Sequence, residues 1–411
     1  MNSSLQADVP QDMAGRTEPP RPGEVFRAFL KLGLTSFGGP VAHLGYFRDE
    51  LVLRRKWIDE AGYADLVALC QFLPGPASSQ VGFALGLLRG GPLGGLAAWC
   101  AFTLPSAALL VLFAMGAGAF GGPVGSGLVH GLKLVAVAVV AQAVWGMARS
   151  LAPDRPRAAI ALLSVFVVVF ATGSIGQIAA ILAGSLLGVW LCRDGAPASP
   201  AHLAFALSRR AGACALAAAC LLLAALPLAA AASGSHALAL FDVFYRAGAL
   251  VFGGGHVVLP LLETAVVRPG WIDANGFLAG YGAAQAVPGP LFSFAAFLGA
   301  AMEPWPNGML GAAICLVGIF VPGLLLVAGA GPLWNAVRRR RLAQAAMRGA
   351  NAAVVGVLAA ALYSPVWTSA VTGPPDFAVA LAGFVLLTVW KAPPWLVVVL
   401  TSATGVALAL L

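Results

Sequence analysis

Long apolar stretches follow one another along this chain, parted by short connectors in which the charges gather. Thirteen can be drawn, at about 25–47, 62–88, 92–118, 128–150, 157–172, 174–192, 211–232, 241–262, 275–300, 308–332, 346–364, 376–390 and 394–411. Most approach the roughly 17–25 residues that a helix needs to cross a bilayer. The pattern predicts an all-α, polytopic integral membrane protein.

Composition agrees. Of 411 residues, 60% are hydrophobic and 10% charged, where a soluble chain carries about 25% charged residues. The formal net charge of +8 comes from basic residues between the apolar stretches. That distribution holds loops in the cytoplasm, so the expected partner is the lipid bilayer and not nucleic acid. Residues 1–22 are polar, carry Pro10, Pro19, Pro20 and Pro22, and lack an apolar h-region. They predict a disordered cytoplasmic leader and not a signal peptide. The cysteines (Cys70, Cys100, Cys192, Cys214, Cys220 and Cys315) show no CxxC spacing and lie mostly inside apolar runs. They are expected to be small buried hydrophobes, with no metal site and no cofactor.

The chain repeats itself. Phe37-Gly38-Gly39, Trp57-Ile58-Asp59, Gln71 and Pro74-Gly75-Pro76 return as Phe252-Gly253-Gly254, Trp271-Ile272-Asp273, Gln285 and Pro288-Gly289-Pro290, in the same order and at nearly the same spacing. Weaker echoes join Pro105 to Pro322, and His130-Gly131 to Arg348-Gly349. The seventh stretch has no counterpart. The expected organisation is a leader (1–22), an N-terminal repeat (23–195), a connector with one transmembrane helix (196–236) and a C-terminal repeat (237–411). Duplication in a membrane chain points to a transporter whose related halves enclose one substrate site.

Basic connectors set sidedness. Stretches 118–128, 173–177 and 233–240 hold no Lys or Arg and are expected outside. Arg149, Arg155, Arg157, Arg193, Arg209, Arg210 and Arg338 to Arg341 are expected in the cytoplasm, with the N-terminus. Arg89 also belongs there, and so does the group Arg48, Arg54, Arg55 and Lys56. Single crossings by the first two elements cannot satisfy both. The conflict disappears if each enters from the cytoplasm and returns, folding at Gly38-Gly39 and at Pro74-Gly75-Pro76. Connectors 263–274 and 301–307 hold one basic residue, Arg268, against Glu263, Asp273 and Glu303, so their hairpins would enter from outside. The expected fold is two inverted-topology repeats with Gly/Pro-broken re-entrant helical hairpins: about 9 full spans plus 4 re-entrant elements, or 10–13 spans if the hairpins are wrong.

Broken backbone at membrane depth survives only where protein buries it or water bathes it. The breaks are therefore the candidate substrate site. A half-helix restarting after Pro-Gly-Pro offers unpaired amides and a positive dipole end, a setting for an anion. The substrate-binding candidates are Gly38, Gly39, Gln71, Pro74, Gly75, Pro76, Ser78 and Ser79 in the first half, with Gln80 beside them. In the second half they are Gly253, Gly254, Gln285, Gly289, Pro290 and Ser293. Proline kinks packed on glycine are the structural alternative.

Lys31 and Arg246 occupy the same place in the two repeats, each inside an apolar element, where an ionisable group costs about 2.5–3.5 kcal/mol. They would either attract substrate or snorkel to the interface as anchors. His43 and His256 each follow a glycine pair; a histidine there would titrate near a gate or simply pack. His43 joins the substrate-binding candidates, and His256 and Glu263 the candidates for proton coupling. Lys133 and Asn351, at similar places in the fourth stretch of each half, are further cavity-lining candidates. The Trp-Ile-Asp triplets read as structural, with tryptophan at the interface and aspartate capping the next helix. No HExxH, GxSxG, Walker loop or clustered carboxylate pair occurs, so no enzyme is expected.

The run Phe29-Leu30-Lys31-Leu32-Gly33-Leu34-Thr35-Ser36-Phe37-Gly38-Gly39-Pro40 with Ala42-His43, the run Leu73-Pro74-Gly75-Pro76, and their second-half echoes resemble the chromate ion transporter family in its long-chain, two-domain form. The resemblance covers nearly the whole chain after residue 22. It implies a bacterial inner-membrane protein that exports chromate, confers chromate resistance and draws on the proton-motive force. The echo is imperfect: Gly255 stands at Pro40's place and Val258 at His43's, so any role of His43 belongs to the first half alone. An interior-negative potential favours outward movement of a dianion by about 2.3 kcal/mol per charge per 100 mV. Alternating access, one repeat rocking against the other, is the expected mechanism. A transporter of another oxyanion such as sulfate fits nearly every residue, and a passive anion channel is the reading of a different class. A homodimer is compatible with each.

Overall fold

A computed structural model of the chain describes residues 21–117, 122–171, 173–193, 207–252, 255–334 and 340–410. Most of the expected leader lies outside them, as do Arg338 and Arg339 of the basic run near 340. Among the described residues there is helix and no strand. The first half comprises α1 (Pro22–Thr35), α2 (Gly39–Phe47, running on as a π-helical segment Arg48–Arg54), α3 (Glu60–Phe72) and α4 (Ala77–Ala117). It continues with α5 (Gly122–Leu151), α6 (Arg155–Phe170) and α7 (Ser174–Leu191). A connecting helix α8 (Arg209–Ser233) leads to α9 (His236–Ala249), α10 (Val258–Val266), α11 (Ala274–Ala284) and α12 (Phe294–Ala301). Then follow α13 (Gly308–Ala330), α14 (Arg341–Ala361), α15 (Pro374–Thr388) and α16 (Pro394–Leu410).

Five helical stretches are long and apolar enough to cross a membrane: 77–116, 122–151, 209–233, 308–333 and 341–370. Where the sequence predicts four more spans, α6, α7, α15 and α16 are apolar helices of 16, 18, 15 and 17 residues. Within α4, Gly91 leaves the helical region (φ 63°, ψ −160°) just before Pro92, dividing a short arm from a longer helix. The aspartates of the two triplets do cap helices. Asp59 accepts from the Gly62 amide at 2.9 Å, and Asp273 from those of Asn275 and Gly276 at 3.1 and 3.2 Å.

The first elements of each half double back on themselves. Glu24 at the start of α1 accepts from the Trp57 indole beyond α2 at 3.2 Å, and from Arg89 at the end of the α3–α4 arm at 3.2 Å. Three chain ends therefore meet at one face. In the second half the His236 ring, opening α9, lies 4.7 Å from that of Trp271 beyond α10. The Glu303 amide beyond α12 donates to the Trp271 carbonyl at 3.0 Å. The same three ends meet again.

Glycine lets the helices approach closely. A methyl on Gly33 of α1 would meet the Ala101 and Phe102 carbonyls of α4, and one on Gly248 of α9 would meet the Ile319 carbonyl of α13. The fourth elements reach across the halves: α5 packs on α16, and α14 on α7. Gly131 faces Thr401 and Ser402, while its counterpart Gly349 faces Gly184 and Gly188. Equivalent contacts thus occur in pairs. Pro40 and Gly255, which are matched positions of the sequence repeat, lie against each other.

Trp145, Trp190, Trp390 and Trp395 are exposed near helix ends that carry the basic connectors, where indoles suit a membrane interface. The cysteine expectation needs correcting in part. Cys70, Cys192 and Cys315 are buried, but Cys214 and Cys220 are exposed. They sit on α8, a peripheral helix packed mainly on α9, α13 and the turn that follows α13, so most of its apolar surface faces outward.

Candidate functional site

Four interruptions occupy the middle of the doubled-back elements: Ser36–Gly38, Leu73–Pro76, the stretch after Ala249, and Gln285–Pro290. Gly38 (φ 100°), Gly75 (φ 124°) and Gly289 (φ 105°) hold left-handed backbone there, which explains glycine at each turn. The interruptions meet in crosswise pairs. The Gly289 amide donates to the Ser36 carbonyl at 2.9 Å, and the Gly75 amide to the Val251 carbonyl at 2.7 Å. Ser36 and Val251 are matched positions of the repeat, and so are Gly75 and Gly289, so the two bonds are the same contact made twice.

Around the Ser36–Gly289 junction the side chains are small and polar. A methyl on Gly289 would lie 2.8 Å from Ser106 Oγ and 3.2 Å from the Phe102 carbonyl. Ser106 Oγ is 2.6 Å from Ser293 Oγ and donates to the Thr103 carbonyl at 2.9 Å. His43 is fully buried, with Nδ1 3.3 Å from Ser78 Oγ and its ring edge-on to Phe102; the Ser36 backbone adjoins it. Among the described residues, Ser36 Oγ, His43 Nε2, Thr103 Oγ1 and Gln285 Nε2 are buried here without a hydrogen-bond partner, as Ser79 Oγ and Gln80 Oε1 are beyond Gly75. Buried polar atoms are normally satisfied; a cluster that is not has donors to spare.

At the Gly75–Val251 junction Gln80 fills the space. Its Nε2 donates to the carbonyls of Pro74 (2.9 Å) and Gly323 (3.1 Å), tying the first half to α13 of the second. Pro76 and Gly323 are in close contact.

The aligned cations lie apart from the junctions. Lys31 donates to Glu50 at 3.0 Å, and Glu50 also accepts from Arg54 at 3.0 Å and Arg55 at 2.8 Å. Burial pushes the Glu50 carboxyl up, but the bonds from Arg55, Lys31 and Arg54 outweigh it and hold its pKa down at about 2. Arg246 pairs with Asp242 one turn earlier. Both cations are partly exposed and matched by a carboxylate, which favours the anchor over the attractor of the two sequence readings.

A model of the family described as "Chromate transporter" matches residues 23–189 and 238–406. The chain belongs to the chromate transporter family. It is 30% identical over 395 residues to the chromate transport protein of Pseudomonas aeruginosa, covering 92% of this chain and 90% of that one. It is 28% identical over 401 residues to the probable chromate transport protein of Synechococcus elongatus (92% and 93%), and 28% over 340 residues to the chromate transport protein of Cupriavidus metallidurans (81% and 80%). No solved structure matches the chain. Membership in the chromate transporter family makes this a multi-pass membrane protein and a transporter, not an enzyme.

Not every sequence candidate of this chromate transporter family member reaches a junction. Gln71 is exposed on α3, while its counterpart Gln285 is half-buried. Gly253 and Gly254 lie outside the described residues. His256 Nδ1 is 2.6 Å from the Tyr281 hydroxyl, and Glu263 sits beside Thr264 and Arg268 in the last turn of α10. Lys133 donates to Asn275 Oδ1 at 3.0 Å; Asn351 Oδ1 is buried and without a partner among the described residues.

Sequence reasoning missed Ser36, Thr103 and Ser106 as site residues. The signal was present around the matched prolines, where Thr103-Leu104-Pro105-Ser106 faces Phe320-Val321-Pro322-Gly323. It also missed the bond between halves at an open cavity of about 530 Å³, where His130 Nε2 lies 2.7 Å from Asp376 Oδ1. A second, apolar cavity of about 420 Å³, lined among others by Leu110, Phe113, Leu132, Val287 and Ser402, reaches the chain just before Gly289.

Proposed function

We propose that the protein is a secondary transporter that exports chromate from the cytoplasm, across the bacterial inner membrane, by alternating access coupled to the proton-motive force. The N-terminus faces the cytoplasm, and the two repeats have inverted topology. Their doubled-back elements are re-entrant hairpins, entering from the cytoplasm in the first half and from outside in the second. The observation that carries this reading is the matched pair of bonds, Gly289 to Ser36 and Gly75 to Val251, which joins the four breaks of both halves at one centre. Broken backbone gathered inside protein, at the meeting of two repeats, is the arrangement of a midplane substrate site.

Chromate enters the reading through the family and the printed names of the relatives in Pseudomonas aeruginosa and Cupriavidus metallidurans. The chemistry at the breaks suits it. A tetrahedral dianion released from water needs several hydrogen-bond donors, and hydroxyls and backbone amides supply these without trapping it in a permanent ion pair. Rocking of one repeat against the other would expose the breaks to the two sides of the membrane in turn. His256 and Glu263 are the proton-coupling candidates. The same donors would accept sulfate, which is why a competition decides selectivity.

Everted membrane vesicles containing the protein test the proposal. Saturable uptake of labelled chromate that stops when the proton gradient is collapsed, and that excess sulfate does not abolish, is the expected result. Non-saturable, gradient-independent flux would identify a channel instead.

A further inference from the structure

The two junctions are the same contact made twice, yet their surroundings differ in one direction. Position by position, Ser36 corresponds to Val251, His43 to Val258, Thr103 to Phe320 and Ser106 to Gly323. The structure supports this register independently of the alignment, because Gly289 faces Ser106 where Gly75 faces Gly323. Four polar residues beside the first junction are thus replaced by two valines, a phenylalanine and a glycine beside the second. Ser293 and Ser79 are the matched pair that keeps its hydroxyl in both.

The spare hydrogen-bonding capacity follows the same asymmetry. Ser36 Oγ, Thr103 Oγ1 and His43 Nε2 are on side chains at most 1% exposed, and none has a partner among the described residues. An unpaired buried polar group costs about 1–3 kcal/mol, so three around one junction are tolerated only where something else pairs with them during some stage of a working cycle. The second junction holds a smaller set, Ser79 Oγ and Gln80 Oε1, and the latter is an acceptor that an anion cannot use. Gln80 spans it, its amide nitrogen committed to the Pro74 and Gly323 carbonyls, and Phe294 occupies the place of Gln80 at the first.

We infer that the transported oxyanion binds at the Ser36–Gly289 junction alone, held by the neutral donors of Ser36, His43, Thr103, Ser106 and Ser293, while the Gly75–Val251 junction is a closed hinge locked by Gln80. This deepens the transporter reading and rests on it. The duplicated fold provides two equivalent places; divergence of the side chains has left one site and one bearing. Selectivity then lies in the spacing of the α4 hydroxyls from Ser36 and from Ser293, just before α12, because neither lysine nor arginine is among these residues.

Thr103→Val tests this with the least disturbance, since the swap keeps shape and removes a hydroxyl that bonds nothing in the described structure. Ser293→Ala and Ser79→Ala form the matched comparison, one at each junction. The purified full-length protein in detergent is titrated with labelled chromate, and separately with labelled sulfate, while thermal unfolding without anion reports folding. Thr103→Val and Ser293→Ala are expected to weaken binding about tenfold or more, the scale of one lost hydrogen bond to a charged group. Thr103→Val should leave the unfolding temperature unchanged or raised, and Ser79→Ala should bind within about twofold of the unaltered protein. Equal losses in Ser79→Ala and Ser293→Ala, or unchanged binding in both Thr103→Val and Ser293→Ala, would overturn the single-junction assignment and leave the transporter reading intact. Sulfate binding with the one-junction pattern, but no chromate binding, would keep the assignment and remove chromate. An unaltered protein that binds neither anion would remove both.

Discussion

The Gly289 amide reaches the Ser36 carbonyl across 2.9 Å, joining the last break of the second half to the first break of the first. Gly289 holds φ at 105°, and a methyl there would fall 2.8 Å from Ser106 Oγ. Gly289→Ala therefore carries two penalties: about 1–2 kcal/mol for left-handed backbone, and a displaced Ser106. Gly75→Ala, at φ 124° with Gln80 Nε2 at 2.7 Å, carries the same two. Both variants should unfold at lower temperature than the unaltered protein in detergent, and both should transport more slowly. Normal stability in either would mean that these turns are not held as described.

Glu50 gathers Lys31, Arg54 and Arg55 at the mouth of the first doubled-back element. Its folded pKa of about 2 lies below the ordinary 4.5. The stabilisation it supplies is therefore complete above roughly pH 4.5 and fades as pH falls toward about 2. Between about pH 6 and about pH 3, the unfolding temperature of the unaltered protein should fall more steeply than that of Glu50→Gln, which starts lower. Parallel curves would show that the cluster does not hold this element.

Lys31 and Arg246 are each already matched by a carboxylate. Lys31→Ala and Arg246→Ala should leave the KM for the transported anion within about twofold, because an exposed, paired charge contributes little at a distance. A rise beyond tenfold would return these cations to the substrate path.

Asp376 accepts from the Thr372 amide (2.9 Å) and hydroxyl (2.6 Å) and pairs with His130 of the other half. Asp376→Ala removes the acceptor of all three groups, and because Thr372 is exposed and His130 half-buried, water can take their place. What is lost is hydrogen bonding to a charged acceptor, about 1.5–3 kcal/mol, so a drop in unfolding temperature is expected, with Asp376→Asn recovering some of it.

Helix order was readable because each apolar stretch is bounded by Gly, Pro or charge: the break between the second and third stretches falls at Gly91-Pro92, where α4 leaves helical geometry. The charges that set the sidedness argument, Arg55 and Arg89, both reach Glu24, and Trp57 joins them there. The partner of each break was not readable. A repeat says that Gly75 resembles Gly289; it does not say that Gly75 binds Val251, a contact between elements of opposite halves. Lys31 looked like an unpaired charge because Glu50 lies well beyond it in the chain and meets it only through the fold. Ser36, Thr103 and Ser106 were passed over because single hydroxyls in apolar helices usually bond their own backbone, and only their burial without partners sets Ser36 and Thr103 apart.

Opposed sidedness of the two halves underlies the whole reading, and single cysteines test it directly. In a background with the native cysteines replaced, one probe at Arg54 and one at Arg268 are exposed to a membrane-impermeant thiol reagent in right-side-out and in inverted vesicles. The account predicts that position 54 reacts only in inverted vesicles and position 268 only in right-side-out ones. Labelling of both positions from the same face would contradict it.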